Sequence, residues 1–166
     1  MIDIVVRSAT PADHAAIRQI ETDAFAGTGE ADLVEALRAS GSVVLELVAV
    51  AGGRAVGHVL FSRLLVENGG APFPAVALAP LAVAGAMQRK GVGTALVAEA
   101  HRLLKPRENL SVVLGEPGYY GRFRYEHARA AGFSSAYQCE ALQALAWSGE
   151  APFAGRLVYA APFAGL

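Results

Sequence analysis

Residues 81–95 read LAVAGAMQRKGVGTA, and this stretch decides the fold. It leads from an almost wholly apolar segment, Ala75 to Val83, through a loop rich in glycine and basic residues into the strongest helical pattern of the chain, Gly91 to Leu104. An apolar run of this kind is typical of a strand covered on both faces. The free N–H groups and positive dipole of a helix start bind anions, and Arg89 and Lys90 add positive charge. The stretch therefore predicts a strand, loop and helix that hold a phosphate group, with a plain helix start and solvated basic residues as the alternative.

The spacing of the glycines limits which phosphate ligand the loop can hold. A Walker A loop requires G-x-x-x-x-G-K-[ST], whereas Val92 follows Gly91. A dinucleotide-binding loop of Rossmann type requires a small residue three positions after Gly93, where Leu96 stands. Binding of NAD or ATP is therefore the weaker hypothesis.

Two motifs connect the chain to a known family. Gln88, Gly91 and Gly93 match the pattern Q/R-x-x-G-x-G/A in full, and here the chain resembles the GNAT superfamily of acyl-CoA-dependent N-acetyltransferases. Residues 115–125, GEPGYYGRFRY, also resemble the G-D/E-P-x-Y-Y-x-x-F-G-F signature of a small bacterial GNAT subgroup. The resemblance extends to the predicted order of helices and strands over nearly the whole length of the chain.

The other elements are predicted from hydrophobic periodicity and turn residues. A first strand is expected over residues 2–7, a helix capped at Thr10, and a second short helix that begins after Gly27 to Gly29 and ends at Gly41. Pro80 interrupts the apolar strand, so we expect the sheet to loosen near Leu81. Further strands are predicted at 43–50, 54–66, 110–114, 138–147 and 156–159, with a loop over 128–137.

The resemblance implies an α/β protein of the GNAT fold, formed by a single domain over residues 1–166. Its central sheet is expected to be mixed but mostly antiparallel, flanked by helices, and splayed between the fourth and fifth strands. Acetyl-CoA is then the expected cosubstrate, with its pantetheine arm paired to the backbone of the fourth strand and its pyrophosphate on the following loop. The implied cofactor-binding residues are Leu81, Ala82, Val83, Gln88, Arg89, Lys90, Gly91, Val92, Gly93 and Thr94.

The resemblance also implies a catalytic tyrosine. In the family the amine attacks the thioester directly, and a tyrosine four residues before a Gly-Phe pair protonates the departing thiolate. Tyr120 holds that place, but the pair reads Arg124-Tyr125 here, so the local backbone is expected to differ. The alternative is that Tyr119 and Tyr120 are only packing aromatics.

The implied function is the transfer of an acetyl group from acetyl-CoA to a primary amine in a ternary complex, an acyltransferase reaction of the EC 2.3.1 type. A non-catalytic acyl-CoA-binding or sensing domain of the same fold is the alternative, since the glycine is missing at Arg124 and no base is marked by spacing. Four carboxylates are open candidates for that base, because the first two helices and the loop after the fifth strand border the acceptor site in the family: Glu21, Glu30, Asp32 and Glu116.

Other reactive residues suggest no further chemistry. The histidines are far apart in sequence and form no H-x-x-x-H pair, so no metal is predicted: His14, His58, His101 and His127. Cys139 is expected as a packed thiol in a strand. Core packing is the first expectation for three aromatic residues near the end of the chain, with the acceptor pocket or a dimer contact as alternatives: Trp147, Phe153 and Phe163.

Composition sets the remaining expectations. The 166 residues carry 14 basic and 15 acidic side chains and a net charge of -1, which argues against a nucleic-acid partner. The uncharged residues 71–87 are broken by prolines, and no signal peptide is recognisable, so we expect a cytoplasmic protein without a membrane partner. The expected partner is an amine on a small molecule or a protein, and an exposed closing strand makes a homodimer possible.

Overall fold

A computed structural model describes residues 3–165 of the chain. In chain order, the strands and helices of that range are β1 (Ile4–Ser8), α1 (His14–Phe25), α2 (Gly29–Ala39), β2 (Val43–Ala51), β3 (Arg54–Glu67), β4 (Phe73–Val83), α3 (Val92–Leu104), β5 (Leu110–Leu114), α4 (Pro117–Tyr120), α5 (His127–Ala130), β6 (Phe133–Ser134), β7 (Leu142–Ala146) and β8 (Gly155–Tyr159). Short 3-10 turns precede α1 at Pro11–Asp13 and α3 at Gly85–Met87.

The strands form one mixed sheet in the order β1-β2-β3-β4-β5-β7, with β8 paired to both β3 and β6. Pairing is antiparallel except between β4 and β5 and between β6 and β8. Alternate residues of a strand point to opposite faces of the sheet, and helices cover both of these faces. In β2, Leu47 and Ala49 pack in the core on the α3 side, whereas Val48 packs with residues of α1 and α2. The expected fold class is confirmed.

The sheet splays where Pro80 stands. The parallel pairing of β4 with β5 is limited to Val76–Leu78 opposite Ser111–Val113. On the other edge of β4, the register with β3 shifts between Val59 and Phe61, opposite residues 79 and 80. Beyond Leu78 the two parallel strands therefore separate, as the proline predicts.

Helix α3 lies unusually close to the sheet. Gly57 of β3 faces it, and a β-carbon at that position would lie 2.7 Å from Cγ1 of Val92 and 3.0 Å from Cδ1 of Leu96. The buried side chains of Leu96, Val97 and Ala100 complete this layer of the core. The contact fixes the start of α3 relative to the end of β4.

The sequence-based boundaries are wrong between residues 127 and 141. The segment expected as a loop contains α5 and β6, and the expected strand over 138–147 begins only at Leu142. The side-chain amide of Gln138 donates hydrogen bonds to the carbonyls of Ala130 (3.0 Å) and Phe133 (2.7 Å), which holds a compact turn instead of a strand. Cys139 lies on this turn and is exposed, so the expectation of a packed thiol in a strand is also wrong.

At the N-terminal end, Ile2 of the expected first strand lies outside the described residues, and the strand continues to Ser8. Among the helices of residues 3–165, none has the length and apolar character needed to cross a membrane.

Candidate active site

In the loop between β4 and α3, two residues adopt the left-handed backbone conformation before the helix begins. Arg89 has φ 63° and Gly91 has φ 84°. The side-chain amide of Gln88 donates to the carbonyl of Val83 at 3.1 Å and closes the loop onto the end of the strand. The first hydrogen bond of the following helical turn runs from the amide of Ala95 to the carbonyl of Gly91 at 3.0 Å. The amides of residues 92–94 precede it and are therefore available to an anion.

A cleft of about 540 Å³ opens beside this loop. All of the cofactor-binding residues expected from the sequence line it, with the exception of Lys90. Tyr119 and Tyr120 form the facing wall, together with Glu116 and Arg122. The structure thus brings the two motifs, residues 88–93 and 115–125, to opposite sides of one cavity.

The edge of β4 that faces the cleft offers backbone groups for pairing. The amide of Ala84 donates to the carbonyl of Val56 at 2.8 Å, so residues 84 and 82 direct their backbone groups toward β3. Successive residues of a strand direct these groups to opposite edges, so those of Leu81 and Val83 point away from β3. That edge is no longer paired with β5, and an extended ligand can add to it as a strand would.

Two glycines position the tyrosines. The hydroxyl of Tyr119 packs against Gly93 in the first turn of α3, and the ring of Tyr120 packs against Gly115 at the end of β5. The two rings meet edge to face, with centroids 5.0 Å apart. Burial raises the pKa of Tyr120, and the nearby Tyr119 and Glu21 raise it further. The phenol of Tyr120 therefore stays protonated at neutral pH.

A second cavity, of about 620 Å³, lies in the gap between β4 and β5 beyond Leu78. It shares four lining residues with the first cleft, namely Phe25, Leu81, Glu116 and Tyr120. Tyr120 therefore stands at the boundary between a cleft that offers anion-binding amides and a separate, mainly apolar cavity. This position suits a group that acts on a bond formed or broken between two ligands.

The four candidate carboxylates occupy different places. Glu30 and Glu116 line the second cavity. Asp32 is exposed and forms an ion pair with Arg18 at 3.0 Å, outside both cavities. Glu21 is fully buried and lines neither cavity.

Glu21 belongs to a buried network that the sequence did not reveal. Its Oε2 lies 2.6 Å from Nδ1 of His58, and Nε2 of His58 lies 2.7 Å from Oε2 of Glu46. Arg38 closes the chain, with a nitrogen 2.6 Å from the same oxygen of Glu46. Both imidazole nitrogens face carboxylate oxygens, so an imidazolium at His58 donates a hydrogen bond to each of them. The signal in the sequence was a lone histidine in an apolar strand, since a buried polar group requires a partner.

The pKa values of this network follow from the competition between burial and pairing. Burial by itself lowers the pKa of His58, but hydrogen bonds to Glu21 and Glu46 raise it above its ordinary value. Burial by itself raises the pKa of Glu46, but hydrogen bonds from His58 and Arg38 lower it to about 2. Burial raises the pKa of Glu21, whose second oxygen has no hydrogen-bond partner among the described residues.

Arg124, where the sequence lacks the expected glycine, has φ 74°. This is the left-handed conformation that glycine adopts most readily, so the backbone makes the turn despite the substitution. The following Tyr125 is buried, and its hydroxyl lies 2.7 Å from the hydroxyl of Ser111 and 3.0 Å from Nε2 of His101. The missing glycine therefore does not prevent the turn that follows Tyr120.

The aromatic residues near the end of the chain separate into three environments. Phe163 is buried and lines the second cavity. Phe153 is 69% exposed, with the guanidinium carbon of Arg129 3.8 Å from its ring centroid. Trp147 packs against His101, with centroids 5.3 Å apart, away from both main cavities. Across residues 3–165 the histidine, cysteine and acidic side chains form no group of three or more that could hold a metal ion.

Comparison with known proteins agrees with this geometry. The family described as "Acetyltransferase (GNAT) domain" matches residues 5–128, and the chain belongs to that family. The chain is 39% identical over 118 residues to the uncharacterized N-acetyltransferase YjhQ of Escherichia coli, a match that covers 69% of this chain and 65% of YjhQ. It is 34% identical over 148 residues to the uncharacterized N-acetyltransferase YhbS of the same species, covering 84% and 87% of the two chains.

Two solved structures share the fold over nearly their whole length. A GNAT family acetyltransferase from Brucella melitensis, in complex with acetyl-CoA, has a TM-score of 0.81 and 34% identity, with coverage of 97% of this chain and 98% of that one. YhbS from E. coli, in complex with CoA, has a TM-score of 0.89 and 28% identity, with coverage of 99% and 93%.

Proposed function

We propose that this protein is an N-acetyltransferase that transfers the acetyl group of acetyl-CoA to a primary amine by direct attack in a ternary complex. The observation that carries the proposal is the position of Tyr120 at the boundary of two cavities, one beside the start of α3 with its free backbone amides and one that is mainly apolar. The complexes of the Brucella protein with acetyl-CoA and of YhbS with CoA support it.

The residues of the first cleft fit acetyl-CoA. The amides at the start of α3 provide donors for a pyrophosphate, and Gly91 and Gly93 allow it to approach the backbone. The backbone groups of Leu81 and Val83 are directed to the open edge of β4, where the amides of a pantetheine arm can pair with them. Arg89 lines the same cleft and adds positive charge, whereas Lys90 lies outside the lining.

Acetyl-CoA supplies an activated thioester when bound. The amine lone pair forms a bond to the carbonyl carbon, the carbon–sulfur bond breaks, and the sulfur leaves with the electron pair. A backbone amide of β4 donates to the carbonyl oxygen while negative charge develops on it. Tyr120 donates the proton that the departing sulfur takes up.

Burial has a defined consequence for this role. The raised pKa of Tyr120 keeps the proton on the phenol, so the donor is loaded at the start of each turnover. A thiol has a pKa of about 8.5, which makes a phenol a weak acid toward its thiolate, and close positioning must compensate. The packing of the ring against Gly115 provides this positioning.

The amine must lose a proton before or during attack. Glu30 and Glu116 are the carboxylates placed to take it, directly or through water, because both line the cavity that adjoins Tyr120. Asp32 and Glu21 lie outside the cavity lining.

The variant Tyr120→Phe tests the proposal. We expect kcat to fall by about 10²- to 10⁴-fold, the usual contribution of a positioned proton donor, with the Kd for acetyl-CoA unchanged. Tyr125→Phe is the control, since it removes a neighbouring buried hydroxyl that lines neither main cavity. A wild-type protein that binds acetyl-CoA but acetylates no amine would instead be an acyl-CoA-binding or sensing domain.

A further inference from the structure

The second cavity has walls that are mostly apolar or aromatic. Two of its lining residues, Phe25 and Leu114, are large apolar side chains that are 45% and 48% exposed. Exposed apolar groups gathered at one cavity are typical of a binding site. Deeper aromatic lining comes from Tyr137, Tyr159 and Phe163, which pack in series with centroids 5.2 Å apart at each step.

The charge of the cavity has a single sign. Among its lining residues, Glu30 and Glu116 carry negative charge, and there is no lysine or arginine. Neither carboxylate forms an ion pair within residues 3–165. Glu116 accepts one backbone hydrogen bond, from Gly118 at 3.3 Å, through Oε1. The cavity therefore complements a cation, and both carboxylates have oxygen atoms available to an ammonium group.

From these walls and charges, we propose that the acceptor is a monocationic primary amine on an apolar, aromatic carbon skeleton, without a carboxylate. This inference rests on the proposed function and names its substrate class. The aromatic rings take the carbon skeleton, and their faces also attract an ammonium ion. Glu30 and Glu116 attract the protonated amine and direct it toward the end of the cavity shared with Tyr120.

The same walls disfavour two other classes of amine. An α-amino acid carries a carboxylate, which Glu30 and Glu116 repel. An aminosugar carries several hydroxyls, and burying them against apolar walls leaves hydrogen bonds unmade. Volume alone does not separate these classes, because about 620 Å³ holds any of them.

Four compounds that carry primary amino groups test the proposal in a thiol-release assay with acetyl-CoA: phenethylamine, phenylalanine, glucosamine and the peptide Gly-Lys-Gly. Phenethylamine and phenylalanine differ only by the carboxylate. We expect kcat/KM for phenethylamine to exceed the other three by about tenfold or more. Equal or better turnover of any of the other three would overturn the substrate class and leave the acetyltransferase function standing.

Calorimetry with CoA-saturated protein separates the two claims. We expect phenethylamine to bind at least about tenfold more tightly than phenylalanine or glucosamine, whether or not turnover occurs. If phenethylamine binds in this way and no amine is acetylated, the proposed function fails while the cavity chemistry holds. Acetylation of some amine without this preference in binding would overturn the cavity chemistry alone.

Variants of the carboxylates connect the preference to the cavity. Glu30→Gln and Glu116→Gln should each raise the Kd of CoA-saturated protein for phenethylamine by about two- to fivefold, a change that calorimetry measures separately from the fall in kcat expected when the carboxylate that accepts the amine proton is removed. The double variant should also reduce the discrimination against phenylalanine, a change that a loss of packing would not produce. Glu150→Gln is the matched control, because this exposed glutamate lies outside the cavity. An unchanged ratio of phenethylamine to phenylalanine in the double variant would contradict the proposal.

Discussion

The ring of Tyr120 packs so closely against Gly115 that a β-carbon on residue 115 would overlap the ring. Gly115 follows directly after β5, which is paired with both β4 and β7. The sheet therefore determines the position of the phenol through one residue that has no side chain. The proposed proton donor, Tyr120, is thus held by β5, one of the two strands that separate beyond Leu78.

Gly115→Ala tests this relationship. The added methyl group displaces the ring of Tyr120, so we expect kcat to fall about tenfold or more while acetyl-CoA still binds. Steady-state kinetics with an amine in excess, together with calorimetry for acetyl-CoA, measure the two effects. Gly121→Ala is the control, since a β-carbon there has no neighbour within 4 Å. A Gly115→Ala protein with wild-type kcat would show that the ring position does not limit the reaction.

Gly93→Ala is expected to affect the other tyrosine. Its methyl group would collide with the hydroxyl of Tyr119 and narrow the cleft at the start of α3. We expect KM for acetyl-CoA to rise about tenfold, because the amides of this turn are the proposed phosphate donors. The comparison is with Gly85→Ala in the same loop, where the added β-carbon meets no atom within 4 Å. Equal KM values for the two variants would contradict the phosphate-binding role of the helix start.

Arg124→Gly should stabilise the protein. Arg124 has φ 74°, a conformation that is strained for any residue with a β-carbon. Relief of this strain exceeds the entropy that glycine loses on folding, and a gain of up to about 1 kcal/mol is expected. For a chain of this size that raises Tm by roughly 2 to 4 °C.

The matched variant for Arg124→Gly is Arg122→Gly. Arg122 lies in the 3-10 turn Gly121–Phe123, and positive φ is not found there. Glycine at residue 122 should therefore lower Tm, because no strain is relieved, the entropic cost remains, and the stacking of the Arg122 guanidinium on the Tyr119 ring (4.4 Å) is lost. Calorimetric unfolding of both variants gives the comparison, and a lower Tm for Arg124→Gly would contradict the strain argument.

The network of Glu21, His58 and Glu46 predicts a dependence of stability on pH. His58 has a raised pKa in the folded state, so its contribution is complete below about pH 6.5 and is lost as the pH rises through the folded-state pKa. Glu21 also has a raised pKa and acts in the same direction, because its ionisation in the buried state costs free energy. The pKa of Glu46 is lowered to about 2, so its contribution to stability is complete above its ordinary pKa. That contribution is lost only in acid, as the pH falls from the ordinary pKa to about 2.

The double variant Glu21→Gln/His58→Gln isolates this effect. The free energy of unfolding of the wild type, relative to that of the variant, should decrease as the pH rises from 6.5 to 9.5. The decrease is about 1.4 kcal/mol for each unit by which folding raises the pKa of His58 within this pH interval. Chemical denaturation at a series of pH values measures the difference. A difference that stays constant over this interval would show that His58 does not titrate with folding.

The parts of the fold that were predictable are those with a local signal. Pro80 marked the splay because a missing amide disrupts strand pairing, and Gln88, Gly91 and Gly93 marked the loop. The turn at residues 135–141 was missed because its hydrogen bonds come from the side chain of Gln138, which has no signature in hydrophobic periodicity. A cytoplasmic location and a homodimer stay predictions of the sequence.

The site was predictable only in part, for the same reason. Tyr120 and the cleft loop lie in motifs, whereas His58 and Glu21 are 37 residues apart and meet only through tertiary packing. The aromatic lining of the second cavity comes from residues as distant as Phe25 and Phe163. No spacing rule connects such positions before the sheet is assembled.

Thermal unfolding in the presence of ligands tests the central claim most directly. A ligand at a hundred times its Kd adds about 2.7 kcal/mol, which corresponds to roughly 5 to 10 °C for a protein of this size. We predict such a rise in Tm with acetyl-CoA and with CoA, and no rise with NAD or ATP at the same concentration. A rise with NAD or ATP and none with either CoA species would contradict the assignment of the cleft and, with it, the acetyltransferase function.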